Sequence, residues 1–97
     1  MTKPLRLLLV EDSGDDAELV IRELRRGGYH PIWTRVATQE AFKAALQEGP
    51  WDIVISDHSL PRYSGMQALA DLQATGRYLP FILMSGTIGE SVAVMAM

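Results

Sequence analysis

The sequence reads WDIVISDHSLP between residues 51 and 61, and this stretch joins a short apolar run to a carboxylate and a loop. A run of about four to eight mostly apolar residues, bounded by turn formers, is typical of a strand buried on both faces. A second run, LRLLLV at residues 5–10, is followed directly by Glu11 and Asp12. In open parallel sheets, ligands bind in the crevice at the carboxyl ends of the strands. The two runs therefore predict a cluster of three carboxylates in such a crevice, from Glu11, Asp12 and Asp57.

Apolar runs of strand length alternate with amphipathic runs of helix length along the chain, which predicts βαβ units and a parallel sheet. The predicted strands are residues 5–10, 31–36, 53–56 and 80–84. Ser13 and Thr38 are expected to cap the first two helices. Gly65 is expected to open a third, and a fourth is expected to begin with Val92 and Met95. Right-handed crossovers place the helices on both faces of the sheet. The expected fold class is therefore α/β, with a doubly wound parallel sheet that stops after strand four and the start of helix four.

The bulk composition is that of one small globular domain. The chain has 97 residues, 47% of them hydrophobic, with a net charge of −3 and no cysteine. An acidic chain has no electrostatic footprint for nucleic acid, and the lack of cysteine excludes disulfides and thiolate sites. The apolar run Leu7–Val10 is too short for a signal peptide or a membrane span. We therefore expect a soluble cytoplasmic domain that binds neither nucleic acid nor membrane.

The three predicted carboxylates indicate a metal site. Clustered carboxylates repel one another unless a cation lies among them, and a set of oxygen ligands suits a hard divalent ion such as Mg²⁺. Two simpler interpretations stay open at this point. Glu11 and Asp12 can be a solvated loop after a strand, and a single aspartate at a strand end, such as Asp57, is often a turn former or a helix cap.

Four motifs in order resemble the receiver domain of two-component response regulators. They are LLVED at residues 8–12, Ser56-Asp57 with Leu60-Pro61, Ser64-Gly65, and MSGT at residues 84–87. The resemblance covers the whole chain, so the receiver domain is expected over residues 1–97. It implies a flavodoxin-like sheet with strand order 2-1-3-4-5. The segment at residues 85–90 is also similar to receivers that are joined to sensor histidine kinases.

The resemblance assigns roles to individual residues by their position in these motifs. It implies that Asp57 is the phosphoacceptor, and that the backbone carbonyl of Ser59 binds Mg²⁺ together with Glu11, Asp12 and Asp57. A histidine kinase or phosphotransfer protein would be the phosphodonor.

Two hydroxyl residues complete the assignment that the resemblance implies. Ser85 is expected to be the switch hydroxyl that bonds the phosphoryl group, although it could instead cap the last helix. Thr87 lies where the family tunes the lifetime of the phosphate. The domain would catalyse only its own phosphorylation and dephosphorylation, so it would not be an enzyme with external substrates.

One departure from the family pattern raises a second hypothesis. Receivers use a lysine at the end of a fifth strand, but Lys3 and Lys43 are the only lysines in this sequence, and neither has that position. We therefore expect a domain that is incomplete at its C-terminus, without the fifth strand and fifth helix. Residues 81–84 would then form an uncovered apolar edge, which a homodimer or a domain swap could complete. The alternative function is an unphosphorylated protein-interaction or dimerisation module.

Overall fold

The computed structural model describes residues 3–57, 63–85 and 92–96. Within these residues the strands are β1 (Lys3–Val10), β2 (Tyr29–Val36), β3 (Ile53–Asp57), β4 (Phe81–Ser85) and β5 (Val92–Ala96). The helices are α1 (Gly14–Arg26), α2 (Gln39–Glu48) and α3 (Gly65–Ala74). The first four strands and the three helices are those that the sequence predicts. None of the helices in this part of the chain has the length and apolar character needed to cross a membrane.

The strands form one sheet in the order β2-β1-β3-β4-β5, and its first four strands are parallel. The predicted doubly wound parallel sheet with order 2-1-3-4 is therefore confirmed. The sheet has a separate apolar cluster on each face because strand side chains alternate between the faces. One cluster joins Leu7, Leu9 and Ile55 to α1. The other cluster contains strand residues that face the opposite side of the sheet, such as Leu8 and Val54. These pack against α2 and α3 through residues such as Phe42 and Leu72.

The segment Val92–Ala96 is a strand, and the prediction that a fourth helix begins with Val92 and Met95 is wrong. It pairs antiparallel with β4, from Ser85 opposite Val92 to Phe81 opposite Ala96. A short apolar run does not distinguish helix from strand by periodicity, and the β-branched Val92 and Val94 favour a strand. The unpaired backbone groups of β4 supply the hydrogen-bond partners. The β4 edge that we predicted to be uncovered is consequently paired within the same chain.

The helices begin at residues whose side chains satisfy free backbone N–H groups. The hydroxyl of Ser13 accepts from the N–H of Asp16 at 3.3 Å, and the hydroxyl of Thr38 accepts from the N–H of Ala41 at 3.1 Å. Both predicted caps are confirmed. Ser64 caps α3 in a capping box with Gln67, which fixes where this helix begins. That position matters because α3 is the next described element after β3, which ends at Asp57.

Candidate functional site

The carboxyl ends of β1 and β3 bring three acidic side chains together. Val10 is paired with Ser56 in the sheet, so Glu11, Asp12 and Asp57 follow at the same edge. One carboxylate oxygen from each of the three lies within 4.8 Å of the others. Glu11 is only 2% exposed, whereas Asp12 is exposed and Asp57 is partly buried. The structure therefore brings together the three carboxylates that the sequence analysis placed in a common crevice.

Hydrogen bonds from neighbouring backbone and from one arginine hold the acidic pair after β1. The N–H of Glu11 donates to the carbonyl of Val36 at 2.9 Å, and the N–H of Ser13 donates to the Glu11 carboxylate at 3.0 Å. Arg35 donates from Nη1 to the carbonyls of Glu11 and Asp12, at 3.3 and 3.4 Å. The main chain at this site is thus fixed by contacts from β2 and from the start of α1.

The electrostatics of the cluster favour a bound cation. Burial raises the pKa of Glu11 from 4.5 to about 7. The charge of Asp57 also raises this pKa, whereas the hydrogen bond from the Ser13 N–H lowers it. Near neutral pH, full ionisation of all three acids is therefore costly without a positive charge among them. A hard divalent cation with oxygen ligands meets this need. Glu11, Asp12 and Asp57 accordingly fit Mg²⁺ by both their chemistry and their spacing.

The remaining predicted site residues are Ser85, Ser59 and Thr87. Ser85 ends β4, one residue after Met84, which is the register partner of Asp57. Its backbone is therefore at the same edge of the sheet as the acids. Ser59 and Thr87 lie outside the described residues, so their roles stay predictions.

Two features of the site were not identified by the sequence analysis. Arg35 reaches the acidic pair because the register between β2 and β1 places Arg35 opposite Leu9. No local sequence motif predicts this register. Gly65 packs against the phosphoacceptor candidate: an added Cβ there would lie 2.9 Å from the carbonyl oxygen of Asp57 and 2.2 Å from Leu83. Its place in the Ser64-Gly65 motif was noted, but this close approach requires the packed structure.

We expect Glu11→Gln to stabilise the metal-free protein at alkaline pH and to weaken Mg²⁺ binding by roughly tenfold. Glutamine keeps an oxygen for the Ser13 N–H and removes a charge that burial disfavours. Because the folded pKa of Glu11, about 7, exceeds 4.5, the wild type loses stability as pH rises from the lower value through the higher one. In thermal unfolding with EDTA, the Tm of the variant should therefore exceed that of the wild type by an amount that grows from pH 4.5 to about pH 7.

The matched control for this prediction is Glu18→Gln, which removes the charge of an exposed glutamate on α1. It should show no growth of the Tm difference with pH, because an exposed charge is well solvated. A constant Tm difference between Glu11→Gln and the wild type at acidic and alkaline pH would contradict the account of Glu11.

Comparison with known proteins gives one consistent family. The sequence model of the response regulator receiver domain matches residues 7–97. The swarming motility regulation protein RssB of Serratia marcescens is 30% identical over 81 residues, which are 84% of this chain and 36% of RssB. The chain thus spans about a third of the length of that relative.

Solved receiver structures have the same fold. The receiver domain of sensor histidine kinase PA1611 from Pseudomonas aeruginosa, solved with a magnesium ion in its active-site cleft, is 28% identical. It superposes with a TM-score of 0.67, covering 82% of this chain and 66% of that one. The chemotaxis response regulator CheY4 of Vibrio cholerae shares the fold at a TM-score of 0.62 and 22% identity, covering 86% of this chain and 68% of that one. With its sheet order and its acidic cluster, this chain belongs to the response regulator receiver domain family.

Proposed function

We propose that this chain is a phosphoacceptor in a two-component phosphorelay, in which Asp57 receives a phosphoryl group from the phosphohistidine of a histidine kinase or phosphotransfer protein. The observation that carries the proposal is the convergence of Glu11, Asp12 and Asp57, whose ligand oxygens lie within 4.8 Å of one another. Family membership supports it, because receiver domains are signalling modules of two-component systems. The receiver unit would comprise residues 1–97 and would act in the cytoplasm.

The chemistry requires a positioned nucleophile and neutralised charge. A carboxylate oxygen of Asp57 would attack phosphorus, the P–N bond to the donor histidine would break, and its electron pair would leave with the imidazole. The product is an acyl phosphate on Asp57. Glu11 and Asp12, with Asp57 and the carbonyl of Ser59, would hold Mg²⁺. When bound, Mg²⁺ supplies positive charge against the phosphoryl oxygens.

The contacts of this chain prepare the acids for that reaction. The Ser13 N–H and the Val36 carbonyl fix Glu11, so its carboxylate is positioned before any ligand arrives. Arg35 adds a positive charge beside the acidic pair through its bonds to the carbonyls of Glu11 and Asp12. This charge lowers the repulsion that an anionic phosphodonor meets at the site.

The output of the proposed function is a shift between two arrangements of the sheet edge. Ser85, at the end of β4, would bond the phosphoryl group as the switch hydroxyl, and Thr87 would affect how long the acyl phosphate persists. A phosphoryl group biases such an equilibrium by the new charge and hydrogen bonds it introduces. Hydrolysis of the acyl phosphate, catalysed by the domain itself, would reset the switch.

A second candidate function is an interaction module that works without phosphorylation. The observation that favours it is the outer strand β2, where the large side chains Tyr29, Ile32 and Trp33 are 40%, 54% and 36% exposed. Exposed apolar side chains on an edge strand are typical of a surface that contacts another protein. Such a module would form the same dimer or complex whether or not Asp57 is phosphorylated.

Incubation with acetyl phosphate distinguishes the two functions. We expect the intact mass of the protein to rise by one phosphoryl group when Mg²⁺ is present and to stay unchanged in EDTA, because the carboxylate cluster needs the cation to accept another anion. Light scattering on the same samples reports association. Suppose that the protein binds Mg²⁺ but gains no phosphoryl group, and that its self-association is the same with and without acetyl phosphate. This result would favour the interaction module and contradict the phosphoacceptor.

A further inference from the structure

Tyr63 is a buried titratable residue to which the proposed chemistry gives no role. It is the first described residue after β3, and it is only 3% exposed. Its ring packs on Phe42 of α2, with ring centroids 6.0 Å apart, and its hydroxyl donates a hydrogen bond to the carboxylate of Asp71 on α3. The ring and the hydroxyl thus fix this residue to two different helices.

Two residues of α2 also contact Asp71. The side-chain amide of Gln39 donates to Asp71 Oδ2 at 3.0 Å, and Lys43 Nζ lies 4.0 Å from Asp71 Oδ1. Burial, and then the bond to Asp71, raise the pKa of Tyr63, so its hydroxyl remains a donor at every physiological pH. Tyr63 therefore ends in a polar network that links α2 to α3, in which Tyr63 is buried, Asp71 is partly buried, and Gln39 and Lys43 are exposed.

The same short segment contacts the phosphoacceptor from the other side. Gly65, two residues after Tyr63, lies so close to β3 that a Cβ there would be 2.9 Å from the carbonyl oxygen of Asp57. Ser64, between them, caps α3 in a capping box. Residues 63–65 are therefore held to the α2–α3 network at one end and against the backbone of Asp57 at the other.

We propose that Tyr63 and Asp71 are positioning residues for the phosphoacceptor site. By fixing residues 63–65 against β3, they hold the backbone of Asp57 in the arrangement that Mg²⁺ requires. This inference rests on the proposed function and deepens it, because it assigns the geometry of the site to side chains that touch neither metal nor phosphate. Loss of a residue that orients a metal ligand without touching the metal typically weakens metal binding by roughly 10–100-fold.

The test measures Mg²⁺ affinity by titration calorimetry and phosphorylation by acetyl phosphate for the wild type and three variants. Tyr63→Phe keeps the buried ring and removes only the hydroxyl, so the fold is retained. We expect it to weaken Mg²⁺ binding by roughly tenfold and to slow phosphorylation at limiting Mg²⁺. Asp71→Ala should have the same effect. Asp71→Asn keeps an oxygen that can accept from the Tyr63 hydroxyl, and it should restore most of the affinity.

The matched control is Arg77→Gln. Arg77 Nη1 donates to the carbonyl of Leu46 near the end of α2, so this variant also removes a contact to α2 but leaves Tyr63 intact. Hydrogen exchange in the first turn of α3, residues 65–68, should increase in Tyr63→Phe and remain unchanged in the control.

Two outcomes would overturn the inference, and they are distinguishable. If the wild type binds Mg²⁺ and Tyr63→Phe matches Arg77→Gln in affinity and exchange, the positioning role is wrong while the proposed function stands. If the wild type itself neither binds Mg²⁺ nor accepts phosphate, the proposed function is wrong and the positioning role is lost with it.

Discussion

Asp57→Asn is expected to lower the rate of labelling by acetyl phosphate by at least about 100-fold. The amide has no anionic oxygen to attack phosphorus, and it removes one of the three charges that attract Mg²⁺. The fold should be retained, since asparagine has nearly the shape of aspartate and the substitution relieves repulsion with Glu11. Intact mass against time, at fixed Mg²⁺ and acetyl phosphate, measures the effect.

Asp52→Asn is the matched control for this prediction. Asp52 precedes β3 at the opposite edge of the sheet, where its carboxylate accepts from the N–H of Arg6 at 2.7 Å. The same chemical change there should leave labelling close to the wild-type rate. Equal labelling of Asp57→Asn and the wild type would show that another residue takes the phosphoryl group.

Gly65→Ala is expected to destabilise the protein by about 1–3 kcal/mol and to slow phosphorylation by roughly tenfold or more. The added methyl group would lie 2.2 Å from Leu83 Cδ1, which can move, and 2.9 Å from the carbonyl oxygen of Asp57, which is main chain. Relief of the clash must shift either the start of α3 or the residue that carries the nucleophile. Urea unfolding and the labelling rate measure the two effects.

Gly14→Ala provides a matched control because both glycines are the first residue of a helix. A Cβ at Gly14 meets nothing within 4 Å, so alanine there should be neutral or slightly stabilising, within about 1 kcal/mol. Equal stability and equal labelling of the two variants would mean that the close approach of Gly65 to Asp57 has no consequence.

The convergence of the acids could be predicted from the sequence because it follows from topology. In a parallel sheet all carboxyl ends lie at one edge, so two apolar runs that end in acids place Glu11, Asp12 and Asp57 together without knowledge of any side-chain contact. The helix caps at Ser13 and Thr38 were predictable for a similar reason, since a cap depends only on residues three positions apart.

Other parts of the structure depend on contacts between distant residues. Val92–Ala96 forms a strand because β4 offers it an unpaired edge, whereas the sequence alone leaves helix and strand open for so short a run. The bonds of Arg35 to the acidic pair depend on sheet register. The contact of Tyr63 with Phe42 and the bond from Gln39 to Asp71 depend on how α3 packs beside α2. Residues that position the site are therefore harder to predict than residues that carry its chemistry.

The central claim is that Asp57 becomes an acyl phosphate, and borohydride trapping tests it most directly. Borohydride reduces an aspartyl phosphate to homoserine, so peptide sequencing by tandem mass spectrometry then identifies the residue that held the phosphate. After incubation with acetyl phosphate and Mg²⁺, we predict homoserine at position 57 and at no other aspartate, and none when EDTA replaces Mg²⁺. A phosphoryl group on His58 or Ser59, or homoserine at another aspartate with position 57 unchanged, would contradict the account.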